Sequence, residues 1–155
     1  MRDDRRIAIA SDHAGFELKA KLEAALRALG YDVEDLGTDR PDSTDYADYA
    51  HPLADRVSDG RVGRGVLLCG TGLGMSYAAN RHPGVRAAVS WTPEIAELAR
   101  RHNDANVLVL PARFVADDVA VQILKTWLET PFEGGRHARR VVKIERPPLA
   151  GENTP

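Results

Sequence analysis

The sequence predicts an α/β fold, a three-layer αβα sandwich built on a five-stranded parallel sheet. Two observations carry this. Five short, near-continuous apolar runs recur along the 155 residues, and the stretches between them carry helical spacing or helix-end signals. Short buried strands alternating with helices require right-handed crossovers, which place helices on both faces of a parallel sheet. Such Rossmann- or flavodoxin-like sheets bind ligands beyond the carboxyl ends of their strands.

The strands are read at RIAIAS (6–11), YDVEDL (31–36), GVLLC (65–69), RAAVS (86–90) and ANVLVLP (105–111). Between the first two, Leu18, Leu22, Ala25, Leu26 and Leu29 repeat at helical spacing. Tyr46, Tyr49, Ala50, Leu53 and Val57 do so before the third. Gly30 and Gly60 stand where carboxyl-terminal caps belong. Thr92 and Pro93 read as N-cap and first helical residue, with Ile95, Leu98, Ala99 and His102 sharing one face. Val115, Val119, Ile123 and Trp127 mark the last long helix.

An apolar content of 43% suits a single domain over 1–146, and the polar stretch 147–155 is expected to be a mobile tail. Twenty-one basic and 23 acidic residues leave a net charge of -2, so no global basic field draws the chain to nucleic acid or anionic lipid. One cysteine excludes an intrachain disulfide, and the first residues lack the apolar core of a secretory leader. No apolar run approaches the roughly 18 residues of a membrane span. A soluble cytoplasmic protein is expected.

That cysteine, Cys69, sits where the third apolar run gives way to the glycine-rich segment GTGLGMSYAAN. Gly70, Gly72 and Gly74 permit a tight turn that brings backbone N–H groups to a ligand, and a helix begins just after. The loop is therefore suited to an anion. It is neither a P-loop, which needs Gly-Lys-Ser/Thr, nor a dinucleotide fingerprint, whose third glycine would fall at Met75. A cysteine phosphatase loop would need an arginine at that same position. A lone cysteine is commonly a small buried hydrophobe. Backbone donors beside it favour a thiolate able to act as base or nucleophile, and Thr71 brings a hydroxyl into the same turn.

Asp12 and His13 close the first strand, while His102 and Asn103 close a helix. Arg136 and Arg140 lie four apart on one predicted helical face with His137 beside them, and Arg113 follows the fifth strand. Together these arginines suit a phosphate clamp, although charge runs of this kind more often form a solvated face. The five histidines and one cysteine show no paired spacing of a zinc site, and His51 and His82 carry no sequence signal.

Five segments, IASDHAGFELK, STDYADYA, LLCGTGLGMSYAANR, RRHNDANVLVL and GGRHARRV, resemble the type B ribose-5-phosphate isomerases. Their wider group includes galactose-6-phosphate and allose-6-phosphate isomerases. The resemblance runs from about residue 6 to 144. It implies a homodimer, or a tetramer of paired dimers, with active sites shared at the subunit interface and no metal or organic cofactor. It implies an aldose–ketose isomerase that interconverts ribose 5-phosphate and ribulose 5-phosphate through an enediolate, with Cys69 as base and Thr71 beside it. Gly70, Gly72 and Gly74 with Asn103 would stabilise the enediolate oxygen, and Tyr46 would lie near the sugar. His102, assisted by Asp12, would open the furanose ring. His13, Arg113, Arg136 and Arg140 would hold the phosphate.

Two positions depart from that pattern. Ala47 follows Tyr46 where relatives often have proline, and Pro111 stands where many have glycine. The first is expected to loosen a turn near the sugar, the second to alter the approach to the phosphate. One branch of the family uses a glutamate base, and Cys69 with Met75 favours the cysteine branch. The same chemistry on a tetrose or hexose phosphate, or a non-catalytic sugar-phosphate-binding role, are the alternatives.

Overall fold

A computed structural model describes residues 4–145; the predicted tail at 147–155 lies outside the described residues. Along the chain run β1 (Arg6–Ser11), a 3-10 turn (His13–Gly15), α1 (Phe16–Ala28), β2 (Asp32–Asp35), α2 (Ala47–Ser58) and β3 (Arg64–Cys69). There follow α3 (Leu73–Ala79), β4 (Ala87–Val89), α4 (Pro93–Asn103), β5 (Val107–Pro111), α5 (Asp117–Glu129) and α6 (Arg136–Val142). The five strands form one parallel sheet in the order β2-β1-β3-β5-β4. All five predicted runs became strands, trimmed by a residue or two at some ends.

Alternation along the central strands sorts the core into two layers. Ile7 and Ile9 of β1 and Leu68 of β3 pack with Leu22, Leu26, Ile123 and Trp127 of α1 and α5. On the other face Ala8, Ala10, Leu67 and Cys69 meet Leu53, Ala54 and Val57 of α2 and Met75 of α3. Small residues let α2 approach: a Cβ on Gly65 would stand 2.5 Å from Leu53 Cδ2. Gly30 and Gly60 take positive φ just past α1 and α2, as their cap positions require.

The strand order reverses between β1 and β3, since the chain leaves β1 for one edge and later returns to build toward the other. The crevice at that switch point is where an open α/β sheet receives a ligand. Asp12 and Cys69 stand at its two sides.

The start of α4 is as predicted, with Thr92 Oγ1 accepting the Ile95 N–H at 3.2 Å. Its buried face is shifted from the predicted stripe, because Ala96, Ala99 and Arg100 are buried while Ile95, Leu98 and His102 are half-covered. Arg100 causes the shift. Its guanidinium donates to Asp104 Oδ1 at 2.9 Å, to the Ala105 carbonyl at 2.7 Å and to the Thr130 carbonyl at 3.2 Å. These bonds tie the last turn of α4 to the segments that follow α4 and α5. Val115 precedes α5 rather than joining it, yet still packs against the core.

Candidate active site

The loop after β3 is built around the sulfur of Cys69, which is 4% exposed. Gly72 takes φ +76°, a conformation glycine adopts freely, and this turns its N–H onto Cys69 Sγ at 3.2 Å. The Thr71 hydroxyl accepts the Leu73 N–H at 3.2 Å, and its own hydrogen is not used in that bond. Arg113 folds back over the loop. Its N–H donates to the Gly70 carbonyl at 3.1 Å, and a Cβ on Gly70 would lie 3.3 Å from Arg113 Nη1. Tyr46 covers the far side, with its ring 2.5 Å from where a Gly74 Cβ would stand.

The first strand supplies the opposite wall. Asp12 is buried and caps the following turn, its Oδ1 accepting from Ala14 N at 3.0 Å and Gly15 N at 3.3 Å. His13 is held by Thr44, whose N–H donates to His13 Nδ1 at 3.2 Å while Thr44 Oγ1 accepts the His13 N–H at 3.2 Å. An accepting Nδ1 places the ring proton of neutral His13 on Nε2, an outward donor suited to an anion. Thr44 is a site residue that the sequence reading did not single out, although it lies within STDYADYA.

The departures at 47 and 111 have local consequences. Tyr46 takes helical angles, φ -55° and ψ -35°, which a following proline would disfavour, so Ala47 permits α2 to start with Tyr46 turned over Gly74. Pro111 pairs in register with Cys69, and the Cys69 carbonyl accepts from Ala112 N at 2.9 Å. The nitrogen of Pro111 faces β4 without a hydrogen, and the β4–β5 ladder ends at Ser90 N donating to the Val109 carbonyl.

The remaining predicted residues form a separate group. Because β4 and β5 are parallel, α4 must run back along the sheet, and His102 and Asn103 in its last turn lie at the amino ends of the strands. The α6 residues stand with them. His137 stacks on His102 with ring centroids 4.3 Å apart and planes 11° from parallel, and Arg136 and Arg140 share that short helix. Glu133 joins the group, with Oε2 3.5 Å from His137 Nε2 and Oε1 accepting from Arg101 Nε at 2.6 Å. The Arg101 hydrogen bond holds the Glu133 carboxyl below the usual carboxylate range. Burial, reinforced by the positive influence of His102 and Arg136, pushes the His137 imidazole below the usual histidine range. A cavity of about 350 Å³ opens beside Asn103, lined by Asn80, Arg86, Ala87 and Glu145 among others.

His102, Glu133 and His137 bring ligand-type atoms within 4.8 Å of one another, a proximity that metal sites also show. Near-parallel rings confine their nitrogen lone pairs to two separate, nearly parallel planes that one ion cannot share, and one oxygen of Glu133 is already engaged by Arg101. The arrangement suits a stacked pair better than a shared ion.

Asp12, His13, Tyr46, Cys69, Thr71 and Arg113 are thus gathered at one end of the sheet, and His102, Asn103, Arg136 and Arg140 at the other. A five-residue strand separates the two groups by roughly 16 Å. A buried thiol beside a glycine loop, with Arg113 and His13 close by at the switch point of a parallel sheet, marks the ligand-binding end of an α/β protein. The chain matches the ribose/galactose isomerase family over residues 7–144. It is 45% identical over 140 residues to ribose-5-phosphate isomerase B of Escherichia coli, covering 90% of this chain and 94% of that protein. The crystal structure of a ribose 5-phosphate isomerase from Thermotoga maritima superposes with a TM-score of 0.88 at 53% identity, covering 90% of this chain and 96% of the other. That of ribose-5-phosphate isomerase B from Mycoplasma genitalium, described with bound ribulose-5-phosphate, gives 0.87 at 44% identity and covers 90% and 93%. The chain belongs to the ribose/galactose isomerase family and is an aldose–ketose isomerase.

Proposed function

We propose that the enzyme interconverts ribose 5-phosphate and ribulose 5-phosphate through an enediolate, with Cys69 as the base that carries a proton between C2 and C1. The observation that carries this reading is the Cys69 sulfur, buried at the switch-point crevice with the Gly72 N–H directed onto it. A proton next to a carbonyl is removed by a positioned base working against fixed donors where the negative oxygen develops. Within the loop of residues 70–74 the Gly72 and Leu73 N–H groups are turned onto Cys69 and Thr71, so those of Gly70, Thr71 and Gly74, with Asn103, serve as those donors, and one such donor is typically worth roughly 3 to 4 kcal/mol of barrier. Thr71 donates its free hydroxyl beside the thiol. The names of the E. coli, T. maritima and M. genitalium relatives support a five-carbon substrate.

His102 opens the furanose ring, with Asp12 assisting through the oxygen not engaged in capping. His13, Arg113, Arg136 and Arg140 hold the phosphate, whose binding energy orients the reacting carbons. Thiol and ring-opening imidazole lie at opposite ends of one sheet, so a single chain cannot present both to one sugar. The active unit is therefore a homodimer in which each site takes its thiol loop from one subunit and its His102–α6 group from the other. Exposed apolar residues support a covered face: Leu73 and Tyr77 lie four apart on α3, and Val142 and Ile144 lie at the end of α6.

The test is conversion of ribose 5-phosphate in deuterated water, followed by proton NMR beside Cys69→Ala. Ribulose 5-phosphate from the wild type alone, with deuterium at the carbon that receives the proton, is the expected result. Turnover confined to a tetrose or hexose phosphate overturns the sugar assignment, and an active Cys69→Ala overturns the base.

A further inference from the structure

We propose that Glu133, clamped by Arg101, is a positioning residue that acts through His137 to hold the His102 imidazole in place for opening the sugar ring. The proposal rests on the isomerase reading above and adds to it two residues, Glu133 and Arg101, that had no role in it.

The contacts form a closed circuit. Arg101 and His102 are neighbours in the last turn of α4. Arg101 is fixed to its own helix by Glu97, whose Oε1 lies 3.1 Å from Arg101 Nη1. Its Nε donates to Glu133 Oε1 at 2.6 Å, and its Nη2 reaches the same oxygen. The backbone is tied as well, since the Glu133 N–H donates to the Arg101 carbonyl at 3.0 Å. From Glu133 the circuit passes to His137 Nε2 and then, through the ring stack, back to His102. Both oxygens of one exposed carboxylate are thereby used, one on each side of the joint between α4 and α6.

Such bracing answers a need specific to His102. Among the described residues its ring has no hydrogen-bond partner, so both nitrogens are free to exchange protons with a ligand. An imidazole without a partner rotates unless packing fixes it, and misplacement of a reacting group by about 1 Å can cost a hundredfold in rate. The flat face of His137 supplies that packing without occupying a nitrogen. In ring opening His102 takes the proton of the C1 hydroxyl, the C1–O4 bond breaks as the C1 carbonyl forms, and the proton returns to O4. Both transfers require the ring to face one oxygen and then the other, which a fixed plane permits.

Ring opening can be separated from proton transfer because only one of the two sugars has a ring. Ribose 5-phosphate is mainly a closed furanose, whereas ribulose 5-phosphate, its C5 oxygen esterified, is open. Exchange of the C1 protons of ribulose 5-phosphate with deuterated water therefore reports the Cys69 step alone, while conversion of ribose 5-phosphate needs ring opening as well. The experiment measures both rates for wild type, Glu133→Gln, Arg101→Gln and His102→Asn, with unfolding midpoints as a check on folding. Glu133→Gln and Arg101→Gln are expected to lower the ratio of ribose 5-phosphate conversion to ribulose 5-phosphate exchange by about tenfold or more, in the same sense as His102→Asn. Equal losses in both rates, or no loss in either, overturn the proposal. A wild type that neither converts nor exchanges overturns the isomerase reading and this proposal together, whereas an active wild type with an unchanged ratio in both variants overturns this proposal alone.

Discussion

The ring of Tyr46 lies so close over Gly74 that a Cβ on the glycine would stand 2.5 Å from Tyr46 Cζ and 2.6 Å from Cε2. No ordinary contact is that short, so Gly74→Ala must move one partner. Tyr46 is 45% exposed, and its ring swings outward more cheaply than the helix start shifts. Alanine also gains about 1 kcal/mol over glycine in a helix, which offsets the displacement. Stability is therefore expected to change by less than about 1 kcal/mol, while KM for the sugar phosphate rises severalfold. A double-mutant cycle checks the cause: in a Tyr46→Ala background, Gly74→Ala should add little to KM and should stabilise the fold.

Cys69→Ala removes the proposed base and leaves the loop donors in place. General base catalysis is worth roughly 10²- to 10⁴-fold, and a loss of that size in kcat is expected with a smaller change in KM. Circular dichroism and a thermal melt separate this from unfolding, because the sulfur is also part of the core under α2 and α3. A variant that keeps kcat within about threefold of wild type would remove Cys69 from the mechanism.

These two neighbourhoods differ in how far the sequence reveals them. Cys69, Gly72 and Thr71 were legible because they are adjacent in the chain and end a continuous apolar run, so their position followed from strand geometry alone. Tyr46 over Gly74 was not, since it depends on how α2 packs against α3. The same holds for His102 on His137, which meet only because α4 and α6 dock at the amino end of the sheet. Glu133 carried no signal at all: it follows α5 in an irregular segment whose course is set by Arg100 and Arg101. His51 and His82, silent in sequence, come within 2.8 Å through Nδ1 and Nε2, with Asp55 Oδ1 3.0 Å from His82 Nδ1. Periodicity reports which face a residue occupies, not which face of another element it will meet.

The stacked pair makes folding stability depend on pH. Burial is the main cause of the depressed His137 pKa, His102, Arg136 and Arg140 act in the same direction, and Glu133 opposes them. The unfolded chain binds a proton at this histidine near the ordinary value of about 6.5 while the folded chain still excludes it. The unfolded state then holds more protons, so this contribution is present above about pH 6.5 and is lost as pH falls toward the folded-state pKa. Urea unfolding at about pH 7.5 and about pH 5.5 measures it. His137→Gln should show a smaller drop in midpoint between the two pH values than wild type, whatever its stability at the higher one.

The proposed homodimer, with its site divided between two ends of one sheet, leads to a prediction that a site contained in one chain would not share. Cys69→Ala lacks only the thiol, and His102→Asn lacks only the ring-opening imidazole, so each homodimer should be nearly inactive toward ribose 5-phosphate. Once subunits are mixed and reassorted, half of the dimers are hybrids. In a shared-site hybrid one site collects both substitutions and the other collects neither. About a quarter of wild-type activity is then expected to return, rising with the time allowed for exchange. If each site were built within one chain, every site in every hybrid would carry one lesion and mixing would restore nothing. Labelling one variant with a distinguishable tag and following hybrid formation by native mass spectrometry ties the recovery to the hybrid itself. Recovery that tracks the hybrid fraction supports shared sites, and a hybrid population without recovery refutes them.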